Sequence, residues 1–216
     1  DDLVSLLYQL RARHANAPLV LGGHSMGGCV SIMAAAKEPR LAQGMVVVDP
    51  VIIPHGFKLL MALGRLFNLN IGGGHKLAAM SRKRRFVWPD AKTLTAAYKG
   101  RGAFTSWKQA FLTAYVKGGT LKTDDGIRLA CVPDWEAANF AYQGHDSITP
   151  VKKLAIPFRL LTAEHGSTTR GIDAFKKNHH AQSIEVVPNS THFLPMEVPD
   201  RVIEEFNILA DRLDLA

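Results

Sequence analysis

Only two cysteines occur in the 216 residues, Cys29 and Cys131. They form no CxxC or metal-ligand spacing and are too few for a disulfide framework, so both read as small buried apolar side chains. Acidic residues are almost missing from one long interval. From Lys58 to Lys108 there are eleven Lys or Arg and one acid, Asp90, within a chain of net charge +7. A solvated face is the plain reading of this surplus, which includes Arg82-Lys83-Arg84-Arg85; attraction to anionic substrates or lipid head groups is the sharper one. No recognition-helix pattern, zinc spacing or aromatic ladder accompanies the charge, so nucleic acid is not expected as a partner. No apolar run approaches the ~20 residues needed to cross a bilayer, so stable membrane insertion is not expected either. The opening Asp1-Asp2-Leu3-Val4 lacks the order of a signal peptide, and cytoplasmic residence is the default expectation.

What is present alternates between short β-rich runs and longer amphipathic segments, the pattern of an α/β fold with a parallel sheet covered by helices. Strands are predicted at Pro18 to Gly22, Gly44 to Asp49, Pro157 to Thr162 and Ser183 to Val187. Helices are predicted at 3–14, 26–37, 169–179 and 198–214. The interval 51–150 interrupts this alternation with helix-forming periods and carries all three tryptophans, Trp88, Trp107 and Trp135. It reads as a helical cap inserted into a core made of 1–50 and 151–216. Such a cap would cover the strand C-termini, where open parallel sheets bind ligands, although its aromatics can equally pack a core of their own.

The apolar run Leu19-Val20-Leu21 leads into Gly22-Gly23-His24-Ser25-Met26-Gly27-Gly28 and then a helical stretch. GxSxG therefore falls between a strand and a helix, the context this motif requires. Ser25 is the candidate nucleophile, with Gly23, His24 and Gly27 completing the elbow. Gly23 and Gly27 are expected to let strand and helix approach closely. The backbone N–H of Met26, at the start of the helix, is placed to donate to an oxyanion.

Residues Gly23 to Gly28 resemble the nucleophile elbow of the α/β-hydrolase superfamily, and the order of elements follows that family along the whole chain. The resemblance implies an α/β-hydrolase fold represented here by its C-terminal part. Some four strands, with the loop that supplies the second oxyanion donor, are expected outside this sequence. It also implies that Pro188-Asn189-Ser190-Thr191-His192-Phe193-Leu194-Pro195-Met196-Glu197, between the last strand and the last helix, carries the base, His192. Imidazole suits the task because it both accepts and returns a proton near neutral pH.

The acid stays open between two residues. The family's usual position after the third strand is Gly166, within Ala163-Glu164-His165-Gly166. Asp49, ending the second strand, and Glu164 are the substitutes. Asp49 is favoured because haloalkane dehalogenases, of similar fold, draw their acid from that strand end. Within the cap, Ser81 to Arg85 with Trp88-Pro89, Tyr98 to Phe104 with Trp107, and Leu129 to Ala137 resemble a subgroup of capped members that includes fungal peroxisomal lipase-like enzymes.

Other features carry less. Gly72-Gly73-Gly74-His75-Lys76 lacks phosphate-loop spacing and reads as a flexible loop. His179-His180 cannot share a helical face, and no metal is assigned. Asp146 reads as a helix N-cap. Leu59, Leu60, Met61, Leu63, Leu66 and Phe67 make an apolar stripe suited to core packing, with an acyl pocket or a membrane as the alternatives.

Together these readings predict a cofactor-free serine hydrolase acting on a carboxylic ester or related acyl bond of a mostly apolar small molecule. The rival is a ligand-binding protein of the same fold without efficient turnover, kept open by Gly166. Oligomeric state is not readable.

Overall fold

Each predicted β-run becomes a strand, and the helices between them pack on both sides of the resulting sheet. The computed structural model describes residues 1–54, 56, 63, 73–142 and 145–215. In chain order the elements begin with α1 (Asp2–Arg13), β1 (Val20–His24), α2 (Met26–Lys37) and β2 (Gly44–Val48). There follow α3 (Gly73–Arg82), β3 (Val87–Trp88), α4 (Ala91–Tyr98), α5 (Gln109–Gly118), β4 (Thr120–Thr123), β5 (Gly126–Leu129) and α6 (Pro133–Ala141). The last group is α7 (Ile148–Lys153), β6 (Phe158–His165), α8 (Ile172–Lys176), β7 (Ala181–Thr191), α9 (Leu194–Glu197) and α10 (Pro199–Arg212). The chain divides into two compact units, one of Asp1–His55 with Asp146–Ala216 and one of Gly56–His145.

The first unit holds a four-stranded parallel sheet in the order β1-β2-β6-β7. β2 is buried along its whole length because helices cover both faces of a central strand. Alternation along it separates two apolar layers. Met45 and Val47 join Ile32, Ala35, Val151, Phe158, Leu160 and Phe175 on one side, whereas Val46 and Val48 join Leu161, Leu194 and Leu209 on the other. Beneath the second layer Arg159 of β6 donates to Glu205 of α10 at 2.5 Å, both buried. Arg201 also pairs with Glu205 and with Glu185 of β7, so three elements share one ionic knot.

The second unit departs from the all-helical expectation. It contains a three-stranded antiparallel sheet, β3-β5-β4, whose hairpin turns through Asp124-Asp125-Gly126. These strands escape a periodicity reading because β4 exposes Leu121, Lys122 and Thr123 in succession. Trp88, Leu94, Leu112, Val116 and Leu129 form a separate core there, lined by Phe86, Tyr98, Phe104 and Tyr115. Trp107 packs edge-on against Phe104 and Tyr115, so two of the tryptophans serve this core.

Three smaller expectations change. Cys29 is buried but Cys131 is exposed, on the turn after β5. Gly73 to Lys76 open a helix instead of a loop, and a Cβ on Gly74 would lie 2.5 Å from the Phe140 carbonyl oxygen. The helix predicted at 169–179 shrinks to α8 because Thr168 and Thr169 bend back to bond Asp49 and Pro50. Leu59, Leu60, Met61, Leu66 and Phe67 lie outside the described residues, as does Gly72; Leu63 is exposed. Asp146 accepts from the N–H groups of Ile148 and Thr149, the first two residues of α7, so its side chain caps the helix from one position ahead of the N-cap residue Ser147.

Candidate active site

All four parallel strands deliver a functional candidate or its support at their C-terminal ends, as open α/β sheets do. Ser25 follows β1, Asp49 follows β2, the loop Gly166–Thr169 follows β6 and His192 follows β7. All lie in the first unit.

Ser25 takes φ 56° and ψ −123°, a conformation that costs a non-glycine residue energy and turns the chain sharply from β1 into α2. The bend is held by the Ser25 N–H donating to the Val48 carbonyl at 3.0 Å and the Val51 N–H donating to the Ser25 carbonyl at 3.2 Å. Close approach falls on Gly23 and Gly28. A Cβ on Gly23 would sit 2.5 Å from the Gly27 oxygen, and one on Gly28 would sit 2.9 Å from the Gly23 oxygen. Gly27, expected to share that duty, meets nothing within 4 Å among the described residues. Space is therefore conserved between strand and helix by the second glycine of the Gly27-Gly28 pair, because position 28 faces back towards β1 and position 27 does not. Met26 begins α2, so its N–H is among the first-turn donors without an intrahelical acceptor and is available to an anion.

Ser25 Oγ lies 2.9 Å from His192 Nε2, and His192 Nδ1 lies 2.6 Å from Asp49 Oδ2. An ionised carboxylate only accepts, so Nδ1 carries the proton and Nε2 is left to accept from the Ser25 hydroxyl. Asp49 has no exposed surface. Burial pushes its carboxyl up, but hydrogen bonds from His192, from Ser167, and from the backbone of Thr168 and Ala163 outweigh this and hold it below its ordinary value. Those donors reach it at 2.5 Å from Ser167 Oγ, 2.9 Å from Thr168 N and 3.2 Å from Ala163 N. The Thr168 hydroxyl also donates to the Asp49 backbone oxygen at 2.8 Å. Like Ser25, Asp49 has a positive φ, 40°, so two of the three aligned side chains sit on strained backbone.

Glu164 is directed elsewhere. It accepts from the Asn189 N–H at 2.7 Å and pairs with His165 at 3.4 Å, on an exposed edge. Its register explains this: β6 runs on to His165, so Glu164 is still in the strand and projects away from the strand ends. Gly166 has φ 64° and starts the turn that brings Ser167 to Thr169 under Asp49. The loop thus supplies donors to the carboxylate that follows β2 instead of supplying a carboxylate itself.

Two contacts hold the histidine loop. His24 Nε2 donates to the His192 carbonyl at 2.6 Å, with the two rings 4.8 Å apart. Burial lowers the His24 pKa, which keeps this imidazole neutral. One residue earlier, Thr191 donates its N–H and its hydroxyl to the Glu197 carboxylate at 2.8 and 2.5 Å. Sequence reading missed the support from Ser167, Thr168, Thr169 and Glu197. The available signal was the unbroken hydroxyl run directly after the vacant Gly166.

Residues 1–205 match the model of the alpha/beta hydrolase family. Among curated proteins, a monoglyceride lipase of Rattus norvegicus is 38% identical over 52 residues, 24% of this chain and 17% of that protein. The Homo sapiens monoglyceride lipase is 32% identical over 66 residues, 28% of this chain and 22% of the other. The matched stretches thus span about a fifth of the length of these relatives. Among solved structures, a peroxisomal alpha-beta-hydrolase of Saccharomyces cerevisiae superposes with a TM-score of 0.73 at 17% identity, covering 99% of this chain and 58% of that one. An esterase of Mycobacterium tuberculosis superposes with a TM-score of 0.65 at 18% identity, covering 97% and 67%. At such identities these structures are alike in fold.

Proposed function

The chain belongs to the alpha/beta hydrolase family, and from that premise we propose that it is a serine hydrolase cleaving a carboxylic ester or related acyl bond of a mostly apolar small molecule. The observation that carries the reading is the unbroken order Ser25 Oγ, His192 Nε2, His192 Nδ1, Asp49 Oδ2, with spacings of 2.9 and 2.6 Å.

In this mechanism His192 Nε2 takes the Ser25 proton as Oγ attacks the carbonyl carbon. The Asp49 carboxylate stabilises the imidazolium and fixes its tautomer. The Met26 N–H donates to the oxyanion of the tetrahedral intermediate. Collapse breaks the acyl–oxygen bond, and the proton on Nε2 goes to the leaving alcohol. Water, deprotonated by the same nitrogen, then hydrolyses the acyl ester on Ser25 and restores the hydroxyl. The ester substrate class takes support from the monoglyceride lipases and the esterase among the similar proteins. The second unit, Gly56–His145, is proposed as the cap of the enzyme.

The binding-protein reading drew its support from glycine at position 166. An acid supplied by Asp49 removes that support, because the histidine has its partner without one at 166.

A fluorophosphonate probe is expected to label the wild-type chain on Ser25 and to leave Ser25→Ala unlabelled. Loss of p-nitrophenyl ester hydrolysis should accompany the loss of label. Absence of labelling in the wild type, or labelling on another serine, would count against the assignment.

A further inference from the structure

The net positive charge of this protein is confined to one of its two units. Between Gly56 and His145 the sequence has 14 Lys or Arg against five Asp or Glu, a net of +9; the remaining residues have 12 against 14, a net of −2, which together make the +7 of the whole. Such an asymmetry is an electrostatic statement about partners, and it does not arise from any need of the proposed chemistry, whose groups all lie in the other unit.

The same unit displays apolar side chains that its core does not use. Its buried cluster takes Trp88, with Tyr98, Phe104 and Tyr115 packed around it. Trp135 and Tyr142 are left 72% and 79% exposed, and Met80 and Leu77 are exposed as well. These four belong to one helix pair. α3 and α6 run antiparallel, because Gly74 lies against the Phe140 carbonyl near one end while Arg82 approaches Asp134 and Arg84 bonds Glu136 at the other. The seam between them is made of small buried residues, Ala78, Ser81 and Ala137. Trp135 and Tyr142 are seven residues apart, two helical turns, and so project from one side of α6 and its C-terminal extension. Leu77 and Met80 project one turn apart from α3. Exposed Lys76, Arg82 and Lys83 stand on α3 and the turn after it.

We propose that the α3–α6 helix pair adsorbs reversibly to an anionic lipid surface, with Trp135, Tyr142, Met80 and Leu77 entering the interface and Lys76 and Lys83 meeting the head groups. Tryptophan and tyrosine suit the head-group boundary because each has an apolar ring and a polar handle. Lys and Arg gain from the negative surface potential of an anionic leaflet. Leucine and methionine distinguish this surface from one made for nucleic acid: bases stack on aromatic rings but gain nothing from aliphatic chains, which an acyl layer accepts. Among the described residues no helix is long and apolar enough to cross a membrane, so the association is peripheral.

The test is vesicle sedimentation with tryptophan emission. Vesicles of phosphatidylcholine alone are compared with vesicles in which about a third of the lipid is phosphatidylglycerol. The wild type should partition to the anionic vesicles at least about tenfold more strongly, less so as salt rises, and its emission should shift to the blue. Trp135→Gln should lose that shift, and both it and the Lys76→Glu, Lys83→Glu double variant should bind several-fold more weakly. Circular dichroism checks that each variant folds. Ser25→Ala should bind as the wild type does, so this inference stands or falls separately from the proposed hydrolase activity. Three outcomes would overturn it. One is no partition to anionic vesicles at low salt. Another is binding and a blue shift that Trp135→Gln leaves undiminished, which would mean diffuse charge adsorption, and the last is an emission shift with an oligonucleotide and none with vesicles, which would mean a nucleic-acid surface.

Discussion

Asp49 is surrounded by donors from three places in the chain, and this convergence gives it a separable role from Glu164. Asp49→Asn keeps the shape but removes the acceptor that selects the His192 tautomer, so kcat is expected to fall by about 10³- to 10⁴-fold. Glu164→Gln, at an exposed edge, should leave kcat close to wild type. Steady-state ester hydrolysis by the two variants checks the pair, and equal losses would remove the distinction. His24 supports a second prediction. Burial lowers its pKa, so as pH falls below about 6.5 the unfolded chain takes up a proton that the folded chain refuses until its lower value is reached. Stability contributed by neutral His24 is therefore full above that pH and declines in the window beneath it. Asp49 behaves as a depressed carboxylate, so its contribution persists through this window and is lost only as pH falls through its own folded value, below the usual carboxylate range. Urea midpoints measured from pH 7.5 to 5 should fall in the wild type and fall less in His24→Gln. At this scale Ser25 and His192, the proposed nucleophile and base, were legible because the GxSxG motif and the family resemblance pointed to them. Ser167, Thr168 and Thr169 were not, since their role exists only once a loop after β6 folds against a residue 118 or more positions earlier.

The strands show how an element places chemistry it does not itself contain. β1, β2, β6 and β7 are parallel, so their C-terminal ends share one edge, and residues just beyond them meet although they are remote in sequence. This edge keeps its alignment only if α10 stays docked under β6 and β7. Glu205, fully buried, ties α10 to Arg159 and receives Arg201 as well. Glu205→Ala leaves a buried guanidinium without its acceptor and is expected to cost about 3 to 5 kcal/mol in chemical denaturation. A cost within about 0.5 kcal/mol would mean that water or a shifted side chain replaces the carboxylate. The parallel strands were readable as apolar runs of β-formers. β3, β4 and β5 were not, being two to four residues long with only Trp88 and Leu129 buried among them, so they carry too few buried positions for a period to register.

Across the molecule, apolar clusters divide as the two units do. Leu160 belongs to the core of the parallel-sheet unit and Leu94 to the aromatic core of the other. Two separate cores predict two calorimetric transitions, with Leu94→Ala lowering one and Leu160→Ala the other, each by about 2 to 5 kcal/mol of local stability. A single transition moved equally by both variants would refute this. The sequence alone determined the α/β class, the strand-to-helix bend at Ser25 and the placement of His192 after the last strand, because local periodicity and motif chemistry depend on residues a few positions apart. Only the tertiary structure set Asp49, and not Glu164, beside His192, gave the close-packing duty to Gly28 over Gly27, and sorted buried aromatics from exposed ones. Those outcomes turn on which strand ends lie side by side and which helix faces are covered, distances through space that linear order does not contain.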